Sequence, residues 1–311
     1  MPEQRIAGPG FYTIDEAAYH ADPAPTPSLS SGIVSKLITG TAADAQYAHP
    51  RLTSADPEDD DDNTDFDLGS VAHELVLGRG SGIHVIDAKD WRTKAAKEQR
   101  AEAIEQGLQP CLLKTYRRAE GMADAARHQL ADDPENFEAF VKGEPEVGAF
   151  WIEQTTSGPI WCRSLIDWKM PNNRVIYDYK TFKPGADPEH FVEYLCREAR
   201  DIQDPFYSRG VAMIEGCNWD EVTFRFVVQS PDPPYLLSVV ELASHQGGRE
   251  WSYDRTQWAI DRWARCLKTG QFPGFVPRTY HVGIPTWAMM RWDERFLSMR
   301  NADDMLKEAA E

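Results

Sequence analysis

Apolar positions along the chain follow a helical rhythm first and a strand rhythm later. From Ser28, a good N-cap, the spacing of Ile33, Val34, Leu37 and Ile38 predicts a helix. Leu68, Val71, Ala72, Leu75 and Val76 form a second helical stripe over 67–77, with His73 off its centre. From about Asp90 to Val141 the chain reads as mostly helical and heavily charged, with its clearest break at Gly107–Pro110. The character changes at Glu146. Val147–Glu153, Ile160–Trp168 and Arg174–Thr181 are rich in β-branched and aromatic residues. Ser157-Gly158-Pro159 and Pro171-Asn172-Asn173 divide them, which predicts three antiparallel strands joined by tight turns. A helical region from Pro188 to Glu215 follows, and Pro205 must kink or restart it. Strands at Val222–Gln229 and Tyr235–Leu242 precede a helix from Trp251 to Leu267, which Gly270–Gly274 ends. This order predicts an α/β fold: an N-terminal helical region, then a mixed sheet of about five strands flanked by helices. Residues 1–27, rich in proline and alanine, read as an extended segment ahead of one domain over 28–311.

On that frame, Asp167 falls near the end of one strand and Asp178-Tyr179-Lys180 lies on the next. Side chains alternate along a strand, so Asp178 and Lys180 point the same way. Two carboxylates on neighbouring strands with a lysine beside them suit metal-assisted phosphodiester hydrolysis. The carboxylates hold a divalent cation, which lowers the pKa of a bound water and neutralises phosphate charge. The lysine then orients the nucleophile or stabilises developing negative charge. A D-x-K triplet alone also fits a hairpin with an ordinary surface Asp–Lys pair.

Composition narrows the setting. At 311 residues, 41% of them hydrophobic, the chain can bury a full core. No window approaches the roughly 18 apolar residues of a membrane helix, and the N-terminus lacks a secretory pattern, so no membrane partner and a cytoplasmic location are expected. Five scattered cysteines without a C-x-x-C pair argue against a zinc ribbon, an iron–sulfur cluster and a disulfide framework. The net charge of −17 looks unfavourable for contact with nucleic acid. Eight acidic residues fall between Ser54 and Asp67, however, and read as a solvated acidic loop. Nucleic-acid binding then requires a local basic surface. Candidates are Arg92, Lys94, Lys97 and Arg100, or Lys114 with Arg117 and Arg118.

Five features occur in a fixed order: Gly69-Ser-Val-Ala-His73, the strand start at Glu146, Arg163 to Asp167, Asp178-Tyr-Lys180, and Gln203 to Tyr207. In this the chain resembles the PD-(D/E)XK nuclease superfamily in its RecB-like branch. Within that branch it is most similar to the C-terminal nuclease domain of exonuclease VIII, the RecE-type phage recombination exonucleases. Ser28–Gly32, Trp91–Lys94, Cys266–Gly274 and Pro285–Trp287 extend the likeness over most of the chain.

The resemblance implies a restriction-endonuclease-like core and specific roles. Asp167, Asp178 and His73 would hold Mg2+, with Mn2+ as a substitute. Lys180 would be the catalytic lysine, and Glu146 would support a water or a second metal. Gln203 and Tyr207, on one helix face, would contact substrate, and Arg163 a phosphate. The implied activity is 5′-to-3′ degradation of linear double-stranded DNA from its ends. It would leave 3′ single strands for an annealing partner in recombination, with the enzyme acting as a ring-shaped homo-oligomer. A nuclease of other specificity, endonuclease or single-strand exonuclease, stays open, as does a non-catalytic DNA-binding protein that kept the fold. Two departures from the pattern stand out: Ser164 where glycine is usual, and Pro205 between Gln203 and Tyr207.

Overall fold

The computed structural model describes residues 5–53, 68–171, 174–244 and 247–308. The acidic segment 54–67 and part of the turn at 171–173 lie outside them. The described chain divides into a body, Met1–Gly274, and a second unit, Phe275–Glu311. In the second unit, helix α10 (Thr286–Glu308) follows a stretch without regular structure. Among the described residues no helix is long and apolar enough to cross a membrane.

The body is built on a mixed six-stranded sheet in the order β1-β4-β5-β6-β7-β8. These strands are Gly10–Thr13, Glu144–Glu153, Ile160–Lys169, Val175–Thr181, Thr223–Gln229 and Leu237–Val240. Four neighbour pairs are antiparallel, while β6 and β7 run parallel. The parallel step requires a long crossover, supplied by helices α7 (Pro188–Arg197) and α8 (Gln203–Glu215). The sheet has one strand more than sequence reading gives, because β1 adds to its edge. Residues 1–27 therefore carry β1 and the short helix α1 (Glu16–His20) rather than running extended throughout.

Strand alternation sorts the core onto two faces. Ile176, Phe224 and Phe226 face a cluster with α2 (Ser31–Thr39), α8 and α9 (Gly248–Thr269). Tyr177, Tyr179 and Val227 face α4 (Leu68–Leu77) and α6 (Leu113–Ala131). A parallel ribbon of β2 (Ile83–Ile86) and β3 (Gln109–Leu112) sits apart from the main sheet, on either side of α5 (Lys94–Glu105). The remaining helix, α3 (Ala42–Tyr47), starts with a capping box on Thr41 and Asp44.

Helix α8 lies close against the sheet. A methyl group at Gly210 would fall 2.7 Å from the ring of Trp151, which is fully buried. Pro205 does not bend α8. It is the third residue of the helix, where a missing N–H was never going to find an intrahelical carbonyl. The helix restarts at Gln203, and α7 ends at Arg197.

Candidate active site

Strands β5 and β6 pair at only two positions, Trp168 with Tyr177 and Lys169 with Ile176. Beyond them the strands part, and the backbone of Leu29 bonds to β5 instead, on both sides of Cys162. Asp167 and Asp178 are the first residues past the parting. Extending the register would set them opposite one another. On the other edge of β5 the register with β4 puts Glu146 opposite Asp167. Three carboxylates are thus brought to one gap in the sheet.

Helices reach this gap from both faces. His73 on α4 places Nε2 3.2 Å from Asp167 Oδ2. The same oxygen accepts a hydrogen bond from the Tyr179 N–H at 2.8 Å. From the other side Gln203, at the start of α8, donates Nε2–H to Asp178 Oδ1 at 2.6 Å. Lys180 Nζ lies 2.7 Å from Asp178 Oδ2. That oxygen is buried, and among the described residues the Lys180 ammonium is its partner. Glu146 has a left-handed backbone (φ 50°), and its carboxylate is 3.3 Å from Arg79 Nε.

The two aspartates stand in different electrostatic states. Burial pushes the Asp178 carboxyl up to about 6, with Asp167 adding to the rise and Lys180 opposing it. Burial also acts on Asp167, but His73, Lys180 and the Tyr179 N–H outweigh it and hold that carboxyl below the usual range. His73 is held above its ordinary value: burial lowers it, and Asp167 more than compensates. Burial lowers Lys180 as well, yet Asp178 and Asp167 together raise it, so it is an ammonium at neutral pH. Glu146 is raised by burial against His73 and Arg79.

Two clefts meet here. One, of about 430 Å³, is lined by His73, Glu146, Arg79, Glu16, Glu74 and Gln109 among others. The second, of about 700 Å³, is lined by Lys36, Ser31, Arg200, Gln203 and Tyr207. Asp167 and Lys180 border both. A strand laid through both clefts would cross the carboxylates midway.

The remaining sequence candidates are placed as follows. Tyr207 is buried beneath the second cleft, with a side-chain bond to Ser31. Arg163 also borders that cleft but is only 3% exposed. Its Nη1 donates to the Ser28 carbonyl and hydroxyl at 2.7 Å and pairs with Asp22 at 3.1 Å. Through Nη1 it pins the segment before α2, while its Nε is buried without a hydrogen-bond partner among the described residues. Sequence reading missed Arg79, Lys36 and Arg200. Each reaches the site from a segment whose local pattern carries no chemical signal.

Oxygen donors with one imidazole are the donor chemistry of Mg2+ and Mn2+. The buried Oδ2 of Asp178, whose partner is the Lys180 ammonium, is an oxygen such a cation would share. As they stand, His73 bonds Asp167 directly, and among the described residues no three His, Cys, Asp or Glu side chains close into a metal cage. The residues fit a cation whose entry separates that pair.

Neither a protein-family model nor a curated protein matches the chain. Among solved structures it is similar to the crystal structure of "Putative exonuclease" from Eubacterium rectale. The identity is 13% and the TM-score 0.56, over 90% of this chain and 98% of that one. At that identity the likeness establishes the fold: a mixed α/β core shared with a protein named as an exonuclease.

Proposed function

We propose that this chain is a metal-dependent exodeoxyribonuclease acting on linear double-stranded DNA. The observation that carries the reading is the gathering of His73, Asp167, Asp178 and Lys180 at the junction of two clefts. The printed name of the structural neighbour points the same way. The 5′-to-3′ direction, the annealing partner and the ring-shaped assembly follow from the resemblance to the RecE-type exonucleases.

In this reading Asp167, Asp178 and the His73 ring hold Mg2+, with Mn2+ able to replace it. The cation supplies charge neutralisation at the scissile phosphate and a more acidic nucleophilic water. Lys180 is charged, so it serves as a donor and not as the base. It orients the nucleophile and balances charge developing on the phosphate oxygens. Gln203 acts through Asp178 by fixing the carboxylate plane. Lys36 and Arg200, exposed along the second cleft, would meet the phosphates of the strand being cut. In-line attack with departure of the 3′-oxygen leaves a 5′-phosphate.

Side-by-side incubation of linear and covalently closed duplexes with Mg2+ tests the reading. An end-dependent enzyme digests the first and spares the second. Cleavage of the circle would instead support the endonuclease alternative. Metal-dependent DNA loss in neither would leave a non-catalytic binding protein.

A further inference from the structure

Most arginines and lysines of the body are committed to carboxylates, as in Arg79–Glu146, Arg163–Asp22, Arg209–Glu153 and Arg249–Asp204. Away from the catalytic gap, a groove of about 570 Å³ breaks this pattern. Lys89, Lys114 and Arg117 line it, all solvent-exposed, and none has a hydrogen bond or ion pair with any described residue. Arg118, also in the groove, pairs with Asp232 at 3.4 Å, and Asp87 is the one carboxylate in the lining. In a chain of net charge −17, three unneutralised cations facing one concavity stand out as a local positive site.

The position of the groove gives it a use. Ser81 and Gln109, at the start of the β2–β3 ribbon, line the catalytic cleft. Asp87 to Lys89 and Leu113 to Lys114, just past the far end of the same ribbon, line the basic groove. At about 3.3 Å per residue the two sites are separated by on the order of 20 Å. A duplex rising 3.4 Å per base pair covers that distance in about 6 base pairs.

We infer that this groove is a second DNA-backbone site, which holds the uncut duplex about 6 base pairs beyond the edge of the catalytic cleft. The inference rests on the nuclease reading, since it assumes a duplex lying in the catalytic cleft. Lys89, Lys114 and Arg117 neutralise phosphates and read no bases, so the contribution is independent of sequence and falls steeply with salt.

The test is fluorescence anisotropy of labelled duplexes in EDTA, where nothing is cut, over a series of salt concentrations. The full-length chain is compared with Lys89→Ala/Lys114→Ala/Arg117→Ala, and with Lys114→Glu alone should the triple variant misfold. On a duplex of about 20 base pairs the triple variant is expected to bind at least about tenfold more weakly. Its log–log salt slope should be shallower by about 2 to 3. Lys268→Ala, an exposed cation of α9 outside the groove, should leave the slope alone. Equal affinity and slope for wild type and variants on the long duplex would overturn the inference, while Mg2+-dependent digestion by wild type would still stand. A wild-type chain that neither binds nor digests duplex overturns both readings.

Discussion

Two buried carboxylates are tied to the start of α8, Asp204 within the helix and Asp178 through Gln203, and their surroundings differ in one respect. Asp204 faces Arg249 at 2.8 Å, and both of its carboxylate oxygens accept hydrogen bonds. Arg249 donates to both carboxylate oxygens, to Ser208 and to the Val222 carbonyl, and Ser208 donates to Asp204. Asp178, held by the neighbouring Gln203, faces Lys180 at a similar distance. Its Oδ2 has only that ammonium as a partner among the described residues, and Lys180 is 38% exposed at the edge of two clefts. The first cluster is closed and fixes α8 in place. The second pairs a buried carboxylate with one partly exposed ammonium that borders two clefts, and that separates a candidate site from a structural ion pair built of the same residue types.

Substitution should separate the two clusters most sharply. Asp178→Asn should lower Mg2+-dependent digestion by about 10³-fold or more while the chain stays folded. Arg249→Met should do the reverse. It strands Asp204 uncompensated in the core and should cost about 3–5 kcal/mol in urea denaturation. Equal stability losses in the two variants would erase the distinction. A smaller effect belongs to Gly210→Ala, which drives a methyl into Trp151. Overpacking there should cost about 1–3 kcal/mol and move Gln203 with the helix.

The pH dependence sharpens the comparison further. The folded-state value of Asp178, about 6, lies above its unfolded value, so the native chain holds that proton more tightly. The stabilisation is complete below about 4 and is lost as pH rises through about 6. Metal-free Asp178→Asn should therefore exceed wild type in stability at neutral pH, on the order of 1–3 kcal/mol, with the gap closing towards pH 4. Melting curves in EDTA across that range would show it, and a gap that does not narrow as pH falls would refute the assignment. The smallest effect concerns His73, whose raised value means that it carries a proton into the neutral range. Binding of Mn2+ should release up to about one proton, and His73→Ala should abolish the release. Calorimetry in two buffers of different ionisation enthalpy measures it directly.

Much of this frame was legible in the sequence. The sheet strands β4 to β7 fall within three residues of the predicted bounds, because turn residues and β-branched runs mark strand ends locally. Asp167, Asp178 and Lys180 were visible because strand periodicity puts chemistry-bearing residues on a predictable face. What escaped depends on distant partners. Strand β1 exists through its pairing with β4, and β2 and β3 are four-residue pieces, one just ahead of the charged, helix-like stretch and one inside it. Arg163 read as a phosphate contact, and its pairing with Asp22, far off in sequence, was not visible. Pro205 read as either a kink or a restart, and the structure has the restart, with the proline in the first turn of α8.

The central claim is that Lys180, beside two aspartates in a parted sheet, makes this chain a cation-dependent nuclease. Digestion of an end-labelled linear duplex by wild type and Lys180→Ala, each with Mg2+ and with EDTA, tests it most directly. The account predicts digestion by wild type in Mg2+ alone and a loss of about 10²- to 10³-fold in the variant at unchanged melting temperature. Digestion by Lys180→Ala at the wild-type rate, or wild-type digestion undiminished in EDTA, would contradict it.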